Sequence, residues 1–148
     1  MGMQREILSF LCENKIATIC YVKDGLPYCF NCLYAVIPEM DGIVFKSSKS
    51  SLHSRVPSGS AVAGTIYQAS KSGYNNTGIQ FSGKLAVAGE MADRYEAAEK
   101  AYYRRFPIAL TIPGTLFSIL LSTIKYTQTR NGIRHKLEWE GLELDKIC

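Results

Sequence analysis

Several features that would identify common classes of protein are missing from this chain of 148 residues. No apolar run reaches the roughly 20 residues that a membrane-spanning helix requires, since the longest candidate, TLFSILLSTIKY, is interrupted by polar residues. We expect no secretory leader, and the five cysteines are an odd number. We therefore expect a soluble cytoplasmic protein whose thiols are reduced.

Signatures of hydrolytic catalysis are also missing. The sequence contains no GxSxG, HExxH or GxxxxGK[ST] motif, and its only two histidines are His53 and His135. His53 lies among serines, but they form one local run, and no third group that would orient the imidazole is evident. The acidic residues are scattered over turns and surfaces. The sequence therefore disfavours a hydrolase.

The charge of the chain is mildly positive and carries little information about partners. A formal net charge of +4 suits an anionic ligand but is too small and too dispersed to indicate nucleic acid by itself. An aromatic content of 11% keeps a small nucleic-acid-binding barrel open as a third hypothesis. We expect neither nucleic acid nor membrane as a partner.

The segment CFNC, which contains Cys29 and Cys32, resembles half of a zinc site. It lies in a predicted strand, where residues three apart point to opposite faces. No second CxxC motif or paired histidines would complete four ligands. We predict buried structural thiols here and no metal site.

The pattern of apolar residues and turns predicts a mainly β fold. REILSFLCENK predicts a leading helix, and a second helix begins at Asp93 and ends before Pro107. Asp-Gly and Asn-Gly pairs between apolar runs indicate hairpins. The predicted strands are 16–22, 27–37, 43–45, 60–68, 79–87, 116–129 and 134–140. This order favours a small antiparallel barrel, filled by its own side chains, with any ligand outside it or between subunits.

One basic, hydroxyl-rich stretch, FKSSKSSLHSR (45–55), follows the third strand. It combines hydroxyl donors, ammonium groups and exposed backbone amides with a short predicted helical turn, all of which bind anions. A solvated polar loop has the same composition. The residues alone leave both interpretations open.

The order of several motifs resembles one superfamily of flavoproteins. FKSSKSSLHSR is followed by AVAGTI on the next strand, GIQFSGKL after a loop, AYYRRFP at the end of the second helix, and LFSILLSTIKYT. Over about Ile7 to Trp139 this is similar to the FMN-binding split barrels of the pyridoxamine 5'-phosphate oxidase-like superfamily. The similarity is greatest to a short single-domain bacterial branch of unassigned activity. It implies that residues 1–148 form one split-barrel domain of six to seven antiparallel strands.

The resemblance also implies a ligand and an assembly. Family members are homodimers that hold FMN between two barrels, and the positions here that match their phosphate loop are Ser47, Ser48, Lys49 and Ser51, with Lys46 as a helper. Asn31 would lie near the flavin ring, although a cross-strand hydrogen bond is an equal alternative for it, and Gln80 would reach the isoalloxazine edge. Further residues of the second helix that could line the pocket are Tyr102 and Arg104 or Arg105, although a core contact is an equal alternative for Tyr102. His53 is interpreted as a bystander.

The chain departs from the authentic oxidases in two places. Their longer phosphate motif with arginine and lysine is absent, and IRHKLEWE does not reproduce their C-terminal arginine-histidine spacing. The expectation is therefore an FMN-dependent oxidoreductase that is not pyridoxamine phosphate oxidase, acting on a small redox substrate or a nicotinamide donor. The alternative is a non-catalytic protein that binds or stores flavin or haem on the same barrel.

Overall fold

Seven strands and two α-helices make up the computed structural model, which describes residues 2–48, 56–87 and 92–141. The helices are α1 (Arg5–Glu13) and α2 (Ala92–Arg105), and short 3₁₀ turns cover Pro38–Met40 and Pro107–Thr111. The strands are β1 (Ile16–Lys23), β2 (Leu26–Ile37), β3 (Gly42–Ser47), β4 (Ala61–Ala69), β5 (Asn76–Val87), β6 (Thr115–Arg130) and β7 (Ile133–Glu140).

The strands form one antiparallel sheet that closes on itself. Their order is β3-β2-β1-β4-β5-β6-β7, and an additional pairing of β3 with β6 closes the first six into a barrel. The long strand β6 makes this possible, since residues 115–120 pair with β3 and residues 123–130 pair with β7. The predicted six- to seven-stranded antiparallel split barrel is confirmed.

Two hairpins turn through the dipeptides that the sequence singles out. Asp24-Gly25 joins β1 to β2, and Asn131-Gly132 joins β6 to β7. All four residues have positive φ angles, between 51° and 78°. This left-handed conformation matches the twist of a two-residue hairpin, and it is accessible mainly to glycine, asparagine and aspartate. The local sequence thus fixes the register of both hairpins.

Two apolar clusters hold the fold together. The larger fills the barrel with side chains from every strand and from α1, and it includes a stacked pair, Phe45 and Phe117, whose ring centroids are 5.6 Å apart. Such pairs contribute about 0.5–1.5 kcal/mol beyond their buried area. The smaller cluster lies outside the barrel, where α2 covers Ala35 of β2, Val44 of β3 and Leu116 of β6. The outer faces of β1, β4 and β5 take no part in it.

The sequence predictions for the elements are largely confirmed, with some corrections. β5 begins at Asn76, three residues earlier than predicted, inside the expected polar loop. Helix α2 begins at Ala92, and the predicted helical turn at 51–55 lies outside the described residues. Cys29 and Cys32 do point to opposite faces, but the prediction of two buried thiols is wrong for Cys29, which is exposed.

The helices that the structure describes are short. Within residues 2–48, 56–87 and 92–141, no helix combines the length and the apolar character that crossing a bilayer would require.

Candidate functional site

A row of polar side chains crosses the outer face of the barrel over four neighbouring strands. Asn31 of β2 lies opposite Thr18 of β1, and Thr18 in turn lies opposite Thr65 of β4. Thr65 lies opposite Gln80 of β5. Because partners in a ladder share a face, the four side chains point outward together. We call these four residues the outer row.

Hydrogen-bonding groups and open surface are combined in the outer row. The Thr18 hydroxyl donates to Asn31 Oδ1 at 2.7 Å, which orients the amide. This is the cross-strand hydrogen bond expected as the alternative role of Asn31, and it is the contact that the structure describes for this side chain. Asn31, Thr65 and Gln80 are exposed, and Thr18 is half-buried. Three strand spacings of roughly 4.8 Å separate Asn31 from Gln80, so the row spans about 14 Å.

Small side chains flank the outer row on one side, where Ala63, Cys20 and Cys29 follow. On the other side only Gly78, next to Gln80, is small, and the remaining neighbours are the exposed side chains of Tyr67, Ile16 and Leu33. The outer row therefore lies between a low surface and a rim of apolar side chains, against which a planar ring system could bind.

The predicted phosphate residues lie at the end of β3, and the structure describes only part of them. Ser47 is buried, with 3% of its surface exposed, and its hydroxyl donates to the Ser48 carbonyl at 3.3 Å. Lys49 and Ser51 lie outside the described residues. The structure thus places the strand that leads into the predicted loop, while the predicted contacts of the loop with phosphate stay a prediction.

Lys46 points away from Ser47, towards α2. Its Nζ donates to the Tyr103 hydroxyl at 2.9 Å and to the Ala109 carbonyl at 2.8 Å, and it lies 4.9 Å from the centroid of the Tyr103 ring. The stem packs close to Gly114, because a Cβ there would lie 3.2 Å from Lys46 Cγ. The structure therefore brings Lys46 to α2 and the segment after it, and not to the outer row.

The residues of α2 that the sequence suggested for the pocket have other contacts. Tyr102 is buried in the smaller apolar cluster, so the core contact is the role that the structure describes. Arg105 donates to the carbonyls of Tyr34, at 3.1 Å, and Cys12, at 2.9 Å. Arg104 is exposed and lines a cleft of about 510 Å³ between α2 and β2.

The sequence analysis missed Thr18 and Thr65. Both lie in predicted strands at positions that alternate with buried neighbours, which marks them as outward-facing. Their alignment with Asn31 and Gln80 depends on the register between β1 and β4, two strands separated by more than 35 residues of chain. Alternation alone could have identified the face, but not the row.

Comparisons with known proteins agree with this fold. No family model matches the chain. The UPF0306 protein YhbP of Salmonella paratyphi B is 30% identical over 132 residues, which are 88% of this chain and 88% of that protein. Among solved structures, the FAD-binding protein from Mycobacterium smegmatis has a TM-score of 0.70 at 15% identity, covering 89% of this chain and 100% of that one.

Two further solved structures share the fold at low identity. HutZ, the haem storage protein of Vibrio cholerae, has a TM-score of 0.65 at 16% identity and covers 82% of this chain and 92% of its own. A Clostridium acetobutylicum protein of the pyridoxinephosphate oxidase family, related to general stress protein 26, has a TM-score of 0.59 at 11% identity. The match covers 97% of this chain and 95% of that protein. The predicted pyridoxamine phosphate oxidase-like fold is thereby confirmed.

Proposed function

The chain belongs to the UPF0306 family, and from that premise we propose that it is a cytoplasmic FMN-binding protein that transfers electrons between small molecules. The observation that carries the proposal is the alignment of Asn31, Thr18, Thr65 and Gln80 in one outward-facing row. The four side chains are neutral hydrogen-bonding groups, and the ladder continues on the same face from Gln80 to the exposed Lys125 of β6. An isoalloxazine ring needs such contacts, since it is planar, uncharged when oxidised, and polar along one edge.

The phosphate of FMN would bind at the loop after β3. The proposed ligands are Ser47, Ser48, Lys49 and Ser51, and Lys46 would contribute positive charge at longer range, since its Nζ is held by Tyr103 and Ala109. The Ser47 side chain is buried on the same face of β3 as Phe45, so its hydroxyl would have to turn outward to reach the phosphate. The ladder between β2 and β3 ends at the pair Tyr34 and Phe45. Beyond this pair, β3 continues to Ser47 paired only with β6. The proposal requires one continuous ligand that runs from the loop after β3 to the outer row.

The ring of FMN would then lie along the outer row. Asn31 would donate its amide to the ring near the phosphate end, with the Thr18 hydroxyl holding the amide in place. Gln80 would donate to the polar edge of the ring. When bound, the flavin supplies the redox chemistry, and the protein orients it and limits access of water. No side-chain nucleophile is required.

A homodimer with FMN between the subunits is part of the proposal. The outer face beside the row carries exposed apolar side chains on the side away from Cys20, among them Ile16 and Leu33, with 60% and 46% of their surfaces exposed. Leaving them in water is unfavourable by roughly 25 cal/mol per Å² of apolar surface. A second copy of the chain would cover them and enclose the ring.

The alternative is a protein that binds or stores flavin or haem without catalysis. The outer row, as the structure describes it, contains no acid or base, which is as expected for storage as for flavin chemistry. Likeness in fold to an FAD-binding protein and to a haem storage protein is compatible with either ligand. Rapid reduction of the bound flavin by NADH or NADPH would favour the oxidoreductase.

The proposal is tested by the absorption spectrum of fresh protein, recorded alone and after titration with FMN, FAD and haemin. We expect a flavin spectrum that sharpens on binding, with FMN bound more tightly than FAD. Gln80→Ala and Asn31→Ala should each weaken FMN binding by about tenfold, the equivalent of roughly 1.4 kcal/mol. Lys136→Ala, on the exposed edge strand β7, is the matched control. Protein that ignores FMN at every concentration would refute the proposal.

A further inference from the structure

We propose that Cys20 and Cys29 form a thiol–disulfide redox site whose substrate is a low-molecular-weight disulfide. The two thiols lie on neighbouring strands of the first hairpin, directly opposite each other. Their sulfur atoms are 2.9 Å apart. This inference concerns a different pair of residues from those proposed to bind FMN, and it does not depend on that cofactor.

The backbone around the pair is already suited to a disulfide. In a two-residue hairpin, the pair that closes the turn, here Lys23 and Leu26, exchanges the backbone hydrogen bonds. Counting along the ladder, Cys20 and Cys29 form a non-hydrogen-bonded pair. Such pairs have Cα atoms about 4.5 Å apart, within the range of about 4.4–6.8 Å that disulfides tolerate. The sulfur atoms therefore need to approach by less than about 1 Å to reach the bond length of roughly 2.04 Å.

The pair is also accessible. Cys29 is exposed and Cys20 is half-buried on the outer face of the sheet. On β4, the residue opposite Cys20 is Ala63, whose methyl group leaves the approach to the sulfur atoms open. Cys32, by contrast, faces the barrel interior and packs against the core. Among the cysteines that the structure describes, only this pair lies within bonding reach of another thiol.

The two thiols have different roles in the reaction. The hydrogen bond with Cys29, followed by partial burial, raises the pKa of the Cys20 thiol to about 11. Cys20 therefore keeps its proton at neutral pH and can donate it to the sulfur of Cys29. Cys29, which is the more exposed, is the thiol that attacks first. Cys20 then resolves the mixed disulfide. Once Cys29 Sγ is bonded to the substrate sulfur it carries no negative charge, so it no longer opposes ionisation of Cys20.

The exchange is balanced in two steps. The Cys29 thiolate attacks one sulfur of the small disulfide, whose S–S bond breaks and releases one thiol after protonation. The Cys20 thiolate then attacks Cys29 Sγ, and the second thiol leaves. Cys20 and Cys29 lose two electrons and two protons, and the small disulfide is reduced to two thiols. The reverse reaction, with a small dithiol, restores the reduced pair.

The test uses the full-length protein, fully reduced and then treated with oxidised glutathione or with the cyclic disulfide of dithiothreitol. We expect two of the five thiols to disappear, a loss of two hydrogen masses from the intact protein, and a peptide map that links Cys20 to Cys29. In buffers with a series of ratios of oxidised to reduced glutathione, the fraction of protein that carries the Cys20–Cys29 disulfide should then follow one reversible transition.

Three variants make the test specific. Cys29→Ser should remove the intramolecular link, and Cys20→Ser should leave a stable mixed disulfide on Cys29. Cys12→Ser changes an exposed thiol of α1 and should oxidise like the wild type. A link that maps to other cysteines would overturn the proposal, as would full protection of both thiols in the folded protein or identical oxidation of Cys29→Ser.

Discussion

Lys46 Nζ lies 2.9 Å from the hydroxyl oxygen of Tyr103, a residue 57 positions further along the chain. The same ammonium group donates to the Ala109 carbonyl, at 2.8 Å. One cation of the basic stretch therefore connects β3 to α2 and to the segment that follows it. Proximity to Ser47 in the sequence does not place the two side chains on the same face of the strand.

We predict that Lys46→Met lowers the free energy of unfolding by about 1–3 kcal/mol, because hydrogen bonds to charged groups contribute that much and the Ala109 carbonyl loses a donor. Chemical denaturation followed by circular dichroism measures the change. Lys136→Met on β7 is the control for removal of a lysine charge, and it should have little effect. An unchanged stability of Lys46→Met would show that the contacts with α2 contribute nothing.

Measurements of stability and of FMN binding separate the roles of Lys46 and Lys49, the two lysines of the basic stretch. We predict that Lys49→Ala weakens FMN binding by at least about tenfold, roughly 1.4 kcal/mol, without a comparable loss of stability. Lys46→Met should have the opposite profile, with the larger effect on unfolding. Fluorescence titration with FMN and thermal melts of the apoprotein measure both quantities. Full retention of flavin by Lys49→Ala would exclude its proposed contact with the phosphate.

At Gly64, the backbone of β4 lies closer to the Phe81 ring and to the backbone of β1 than a residue with a side chain would allow. A Cβ at this position would lie 2.3 Å from Phe81 Cζ and 2.5 Å from the Thr18 carbonyl oxygen. The carbonyl belongs to the ladder between β1 and β4, so it cannot move without breaking the barrel. We predict that Gly64→Ala costs roughly 1–3 kcal/mol of stability, the usual penalty for overpacking.

Gly78→Ala is the matched control on the next strand. Its Cβ would meet Tyr67 Cδ2 at 3.4 Å and the Ile66 carbonyl oxygen at 3.6 Å, which are ordinary contacts. We expect a change of less than about 1 kcal/mol for this variant, the span of intrinsic strand preferences. Denaturant unfolding measures both effects. If the two substitutions lower stability equally, the close contacts of Gly64 with Phe81 and Thr18 do not determine which residue the position tolerates.

Much of the fold could be predicted because its signals are local. Apolar, β-rich runs bounded by turn signals predicted all seven strands, and Asn131-Gly132 predicted a hairpin because few other residues accept its dihedral angles. The helix that begins near Asp93 was evident from its spacing. The start of β5 was not, because the pairing of Asn76 with Ala69 and Thr129 overrides the low strand preference of its polar sequence.

The candidate site was harder to predict because it depends on the pairing register of strands distant in sequence and on the face of the strand to which each side chain points. Thr18 joins Asn31 and Gln80 only through the pairing of β1 with β4, which no local pattern encodes. Cys29 was expected to be buried because cysteines usually are, but the alternation that buries Cys32 exposes Cys29. The same alternation turns Lys46 away from Ser47, towards α2.

Stability should fall as the pH rises above about 9, in part because of Cys32. Burial raises the pKa of this thiol from 9.0 to about 12. The unfolded chain therefore loses the proton first, and between these values the folded state binds more protons than the unfolded state. Stability that is fully present below pH 9 is then lost as the pH rises towards 12, with a slope of up to roughly 1.4 kcal/mol per pH unit.

Cys32→Ala isolates this contribution. The variant loses packing at every pH, but the difference in unfolding free energy between wild type and variant should shrink between pH 9 and 11. Burial also raises the pKa of Tyr34, and this contribution cancels in the difference because both proteins contain the buried phenol, whereas the smaller effect of the Cys32 charge on Tyr34 is removed with the thiol. Denaturant unfolding at a series of pH values measures the slope. A difference that stays constant over this interval would contradict the assignment to Cys32.

The exposed apolar pair of Leu33 and Ile16 tests the homodimer. These residues lie opposite each other on β2 and β1, next to the outer row, with 46% and 60% of their surfaces exposed. A charge placed at the centre of an interface is costly to bury without a partner, so Leu33→Asp should convert a dimer to a monomer. Because the ring is proposed to lie between the subunits, FMN binding should weaken in the same variant. Light scattering coupled to size exclusion gives the mass, and fluorescence gives the affinity.

The control for this experiment is Ile133→Asp. Ile133 begins β7, with 75% of its surface exposed, on the strand that lies outside the closed six-stranded barrel and does not pair with β1 or β2. The Ile133→Asp substitution introduces the same charge in place of a similar side chain. Loss of the dimer in both variants would therefore indicate a general effect of charge. A Leu33→Asp protein that remains a dimer would show that subunits meet through another face. A monomer that still binds FMN with wild-type affinity would separate the cofactor site from the interface, because the outer row would then hold the ring within a single barrel.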